Sequence, residues 1–163
     1  MIRAERMSES MQALLDGDDL DSKIGTTLLL IVPNGTEMPR VASLSVGEVY
    51  APSATELYLT LYETSRTTKQ LVAGGRALLM GVDDGAIVKV ELSAQPLDAT
   101  SAIGGRTIFR AEIDAVERDE VPYARVTSGI RFELVDGASA VERWQRQLDE
   151  LKALSRGAAG SSG

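Results

Sequence analysis

Polar and apolar positions alternate with a period of two over much of this chain. In residues 56–62, Leu57, Leu59 and Leu61 face one way and Tyr58, Thr60 and Tyr62 the other, as on a β-strand. The stretch after residue 105 puts Phe109, Ala111, Ile113 and Ala115 on one face. The stretch 124–134 gives the clearest alternation, with Ala124, Val126, Ser128, Ile130, Phe132 and Leu134 opposite Arg125, Thr127, Arg131 and Glu133. The apolar run Leu28–Val32 has strand length and ends at Pro33-Asn34-Gly35. Asn-Gly predicts a hairpin and a returning strand at about 40–50. Further strands are predicted over 76–82 and 86–97, joined by a turn at Asp83-Asp84-Gly85.

Helical spacing appears three times. Residues 4–16 carry Met7, Met11, Leu14 and Leu15 on one stripe, and Gly17 follows. Ser65 to Ala73 reads as a helix with Ser65 as N-cap and Gly74 past its end. The last helix opens on a Ser139/Glu142 capping box and aligns Val141, Trp144, Leu148 and Leu151. Residues 157–163 contain only Gly, Ala and Ser and read as a disordered tail. The prediction is one β-rich α+β domain over 1–156: six or seven antiparallel strands closing into a barrel, with flanking helices.

Composition removes several classes of function. The 163 residues include no cysteine and no histidine. Disulfides, thiolate metal sites, cysteine nucleophiles and serine–histidine triads are excluded, and no metal site is expected. The net charge of −7 argues against nucleic acid as a partner. No apolar run approaches the ~20 residues of a membrane-spanning helix, and residues 1–15 lack a signal-peptide core, so a cytoplasmic protein is expected.

Two features suggest a ligand. Thr64-Ser65-Arg66-Thr67-Thr68-Lys69 opens a helix directly after a strand and carries no acid through Gln70. Free N–H groups and the dipole at such an end attract anions, and the hydroxyls and cations here can donate to phosphate. The plainer reading is a capped surface helix. The strand at 40–47 presents Val41, Ser43, Ser45 and Gly47 on one face, a row of small side chains that lets a flat ring approach the backbone. Packing against a helix or a second subunit is the alternative.

The segments Ser65-Arg66-Thr67-Thr68-Lys69-Gln70-Leu71 and Gly75-Arg76-Ala77-Leu78-Leu79 resemble Ser-Arg-Lys-x-x-Gln-Leu and Asn-Pro-x-Val-x-Leu of the pyridoxamine 5'-phosphate oxidase-like FMN-binding split barrels. Pro39-Arg40-Val41-Ala42-Ser43-Leu44 and Leu57-Tyr58-Leu59-Thr60 are similar to two strands of the same family. The resemblance covers roughly residues 8–135. It implies a split β-barrel that pairs as a homodimer, with FMN at the interface. Arg40, Ser65, Arg66, Thr67, Thr68 and Lys69 would serve the phosphate, with Tyr58 and Thr60 near it. The ring would lie along Val41, Ala42, Ser43, Leu44 and Ser45. The family's lysine after Ser-Arg is Thr67 here, so a deazaflavin is the alternative cofactor. The Arg-x-His substrate motif of the true oxidase is absent, so pyridoxamine-phosphate oxidation is not expected. The resemblance implies a flavin-dependent oxidoreductase with a small-molecule substrate or electron donor. A non-catalytic flavin-storing protein and a cofactor-free dimeric module remain open.

Overall fold

The computed structural model describes residues 2–161. The elements run β1 (Ile2–Ala4), α1 (Glu9–Leu14), a 3-10 turn (Leu20–Lys23), β2 (Leu28–Val32), β3 (Arg40–Leu44), β4 (Val49–Ser53), β5 (Glu56–Tyr62), α2 (Arg66–Gly74), β6 (Arg76–Asp83), β7 (Ala86–Pro96), β8 (Arg106–Asp119) and α3 (Gly137–Ser161). One antiparallel sheet holds all eight strands in the order β3-β2-β6-β7-β8-β5-β4, with β1 added to the far end of β8. The terminal strands β3 and β4 are consecutive in the chain and joined by residues 45–48 only. Such a connection reaches at most ~19 Å, whereas a flat seven-strand path is ~29 Å wide. The sheet therefore curls on itself into a split barrel.

Leu28, Leu30, Leu57, Leu59, Leu79, Val90, Leu92, Phe109 and Ala111 fill the interior. Strand β5 is covered on both sides, because α3 packs against its outer face through Leu151 while Leu57, Leu59 and Leu61 point inward. The β6–β7 hairpin closes on two residues, Asp84 at φ 44° and Gly85 at φ 79°, between the paired Asp83 and Ala86. This is the Asp-Gly geometry that matches strand twist. The β2–β3 hairpin forms as expected, but through the longer loop 33–39 and with a positive φ at Gly35 alone.

Several sequence expectations need correction. Residues 124–134 are not a strand. They belong to an exposed extended strap, 120–136, with two isolated bridges, Thr26 to Arg131 and Val121 to Ala124. The alternation was real but reports packing, not pairing: Val126, Phe132 and Leu134 lean on the body, while Ile130 stays 63% exposed. Both edges of β8 are already taken by β7 and β5. The returning strand expected at 40–50 is instead two strands separated by a turn at 45–48.

The first helix is shorter than 4–16. Ser8 caps it by accepting from Met11 N, and residues 2–4 leave to pair with β8. The capping group of α3 is Asp136, whose Oδ1 accepts from Ser139 N at 3.2 Å, so the Ser139/Glu142 box does not form. The helix also continues through the segment expected to be a tail, reaching Ser161, as its alanines favour. The rest of that expectation, at 162–163, lies outside the described residues.

Candidate functional site

A cleft of about 340 Å³ opens between β3, the end of β5, the start of α2 and the N-terminal half of α3. Strand β3 contributes Val41, Ala42, Ser43 and Leu44, helix α2 Thr67 and its cap Ser65, and β8 Arg106. Six of the lining residues thus belong to the sequence-derived set: Val41 to Leu44 on β3, and Ser65 and Thr67 at the start of α2.

The local chemistry explains the α2 wall. Ser65 has extended φ/ψ, and its Oγ accepts from Thr68 N at 3.0 Å. Thr68 Oγ1 donates to the Tyr62 carbonyl at 2.6 Å, which leaves it a structural role. Thr67 points the other way. It is 8% exposed, lines the cleft, and its hydroxyl has no hydrogen-bond partner among the described residues. No acid occupies the first turn of α2. At the other end, Gly75 takes φ 71° and its N–H closes on the Leu71 carbonyl.

The remaining sequence-derived residues divide into two groups. Arg40 begins β3 opposite Val32, and Arg66 and Lys69 lie on the exposed side of α2. All three are outside the cleft lining, and none forms an ion pair among the described residues. Ser45 sits in the β3–β4 turn, bonded to Glu48. Tyr58 and Thr60 are not brought to the cleft: they lie beneath α3, 0% and 1% exposed, with hydroxyls that lack partners. Burial pushes the Tyr58 phenol above its ordinary range. In this chain α3 takes the outer face of β5.

The sequence reading missed the opposite wall. Arg106 is buried at the floor of the cleft. Its Nη2 donates to Gln147 Oε1 at 3.0 Å, and its Nη1 reaches Glu48 Oε2 and the Thr60 carbonyl, both at 3.4 Å. The guanidinium stacks 3.8 Å from the Tyr62 ring centre. Gln147 Nε2 in turn donates to the Gly47 carbonyl at 2.9 Å, tying α3 to the β3–β4 turn. Trp144 and Arg143 complete the wall. Arg143 is exposed and without an ionic partner among the described residues. Glu48 is the only acid in the lining, against Arg106 and Arg143, so the cleft is a cationic spot on a molecule of net charge −7. One signal was legible: Gln147, three residues after Trp144, falls on the apolar stripe of α3, where a polar residue needs a partner.

YclD of Bacillus subtilis (strain 168) is 31% identical over 153 residues, 93% of this chain and 99% of that one. The chain belongs to the YclD family. No broader family model matches it. Among solved structures, a Lactobacillus delbrueckii protein provisionally assigned as a pyridoxamine 5'-phosphate oxidase superposes with a TM-score of 0.55 at 13% identity. That match covers 72% of this chain and 99% of the other. HupZ of Group A Streptococcus superposes at 0.53 with 7% identity, over 74% and 98%. The shared feature at these identities is the fold, the pyridoxamine 5'-phosphate oxidase-like split barrel. Among the described residues no helix is long and apolar enough to cross a membrane.

Proposed function

We propose that the cleft binds a phosphate-bearing flavin, FMN, and that the protein is a flavin-dependent oxidoreductase working as a homodimer. The observation that carries this reading is Thr67: a hydroxyl open to the cleft and without a partner among the described residues, in the first turn of a helix with no acid there, on the wall of a cleft with surplus positive charge. A free donor at a helix start, beside backbone N–H groups of the first turn, is placed to meet a phosphate oxygen. The volume also lies within the range of small-molecule sites.

In this reading the phosphate meets the α2 start, with Thr67 and the free N–H groups donating and Arg66 and Lys69 adding charge from the rim. Val41 to Leu44 would flank the ring. When bound, the flavin supplies hydride or electron transfer, and the protein binds, orients and shields it. With no histidine or cysteine in the chain, proton movement falls to water or to carboxylates such as Glu48. A deazaflavin with a phosphate at the same place would use the same contacts.

Fluorescence titration of FMN and riboflavin against flavin-free protein tests this. Each charge-assisted bond is worth about 1.5–3 kcal/mol. Thr67→Val should weaken FMN binding about ten- to a hundredfold, Arg66→Ala, whose charge acts from the rim, by up to about fivefold, and neither should change riboflavin binding. Neither should lower stability much, because neither side chain has a hydrogen-bond or ionic partner among the described residues. Equal loss of both flavins, or no loss of FMN, removes the phosphate from this helix start.

A further inference from the structure

A second hollow, of about 300 Å³, lies on the outer face of the sheet. Its floor follows from strand register. Met80 stands beside Leu29, and Val82 beside Ile87, all four half-buried. Its roof is the strap, through Val126 and residues 128–130. The strap is bonded to the body on either side of this roof, where Val126 N donates to the Gly85 carbonyl at 2.8 Å and Arg131 bridges Thr26. Residues 127–130 make no backbone bond to the body among the described residues, so the strap arches over the hollow.

No residue lining this hollow carries a charge; a compartment beside it shares six of its residues and adds Asp84, paired with Arg125, and Arg131, which bonds the Ile24 carbonyl. The hollow's own polar side chains are Thr27 and Ser128, whose hydroxyls have no hydrogen-bond partner among the described residues. The hollow shares Thr27 and Ile130 with a middle compartment of about 380 Å³. That compartment shares Ser43, Leu44, Glu48, Arg143 and Trp144 with the cleft. The cationic cleft, the middle compartment and this hollow therefore adjoin in a row.

We infer that this hollow binds an apolar ring compound with no net charge, which serves as reactant for the cofactor. An apolar cavity of ~150 Å³ holds one benzene ring, so this hollow has room for two fused rings. The two free hydroxyls can bond a carbonyl or hydroxyl on the ring edge, whereas an ionised group seated on the Leu29–Met80–Ile87 floor would lose its hydration with no opposite charge in the lining to replace it. The role as reactant rests on the flavin reading; the binding does not.

The test is equilibrium dialysis of the full-length protein, with and without FMN, against menadione and its sulfonated, charged analogue. Two variants alter the floor: Met80→Glu adds a charge, and Ile87→Trp fills the volume. Wild type should bind menadione at least about tenfold tighter than the sulfonate, and each variant should lose at least about tenfold. FMN affinity, read separately, should be unchanged in both variants, which also reports that they are folded. Absence of menadione binding by wild type, or equal binding by both variants, overturns the inference. So does a wild-type dimer that binds no menadione and dissociates in the variants, because the face is then a subunit interface. Menadione binding that responds to both variants in a protein that never binds FMN keeps the site and discards the flavin.

Discussion

Gly47→Ala is expected to lower stability by about 2–3 kcal/mol, the cost of forcing an atom into a filled site. A Cβ built on Gly47 falls 2.5 Å from Trp144 Cβ and closer still to its ring. Rotating Trp144 cannot relieve the contact with its Cβ, which moves only with α3. The helix must shift, which strains the Gln147 bond to the Gly47 carbonyl and, through it, the Arg106 bond. Thermal unfolding should show a drop of roughly 5–10 °C for a domain of this size. Emission from Trp144, the single tryptophan, should move to the red as the ring becomes wetter. Gly137→Ala, at a position with no atom within 4 Å of the new Cβ, is the control and should leave both readouts unchanged. A Gly47→Ala protein as stable as wild type would mean that α3 does not sit against the β3–β4 turn.

Arg106→Met is expected to cost a similar amount. Removing one partner of a buried ion pair typically costs 3–5 kcal/mol. Here about 2–3 kcal/mol is expected, because the Arg106–Glu48 distance is 3.4 Å and the Glu48 side chain is 17% exposed. The loss comes from what is left behind: Gln147 Oε1 without a donor, and Glu48 held only by the Ser45 N–H and hydroxyl. The double variant Arg106→Met/Glu48→Gln should recover part of the loss, and urea unfolding of the four proteins in the cycle measures the coupling. Additive single effects would show that the pair does not interact and that Arg106 is held by Gln147 and the Tyr62 ring alone.

The barrel was legible in the sequence because its signals are local. Leu57, Leu59 and Leu61 alternate because β5 has a barrel side, and Asp84-Gly85 turns the chain whatever surrounds it. The α2 start was legible for the same reason, since Ser65 caps a helix through Thr68, three residues away. What the sequence concealed is what α3 does to the sheet. Tyr58 and Thr60 look like residues facing an open site, and only the docking of a helix some ninety residues later covers them. Arg106 follows a glycine pair at the start of a strand and gives no local sign that Gln147 and Glu48 will surround it. The strap misled for a related reason. Val126, Phe132 and Leu134 repeat every second residue because one side of an extended segment rests on the body, and that periodicity does not depend on whether the backbone is paired.

The strap has a consequence for how the cleft is assembled. Every strand is complete by Asp119, so residues 120–136 act as a tether between a finished barrel and a separate helix that brings Arg143 and Trp144 to the cleft wall. Even without its bonds to the body, a tether of this length would hold its cargo at an effective concentration of order millimolar. A helix with a dissociation constant of only ~10 µM for the barrel would then be docked about 99% of the time. The helix therefore needs little intrinsic affinity while the tether is whole. A single cut in the strap, for instance at the exposed Arg125, would dilute α3 to its bulk concentration and strip one wall from the cleft without altering any residue that lines it.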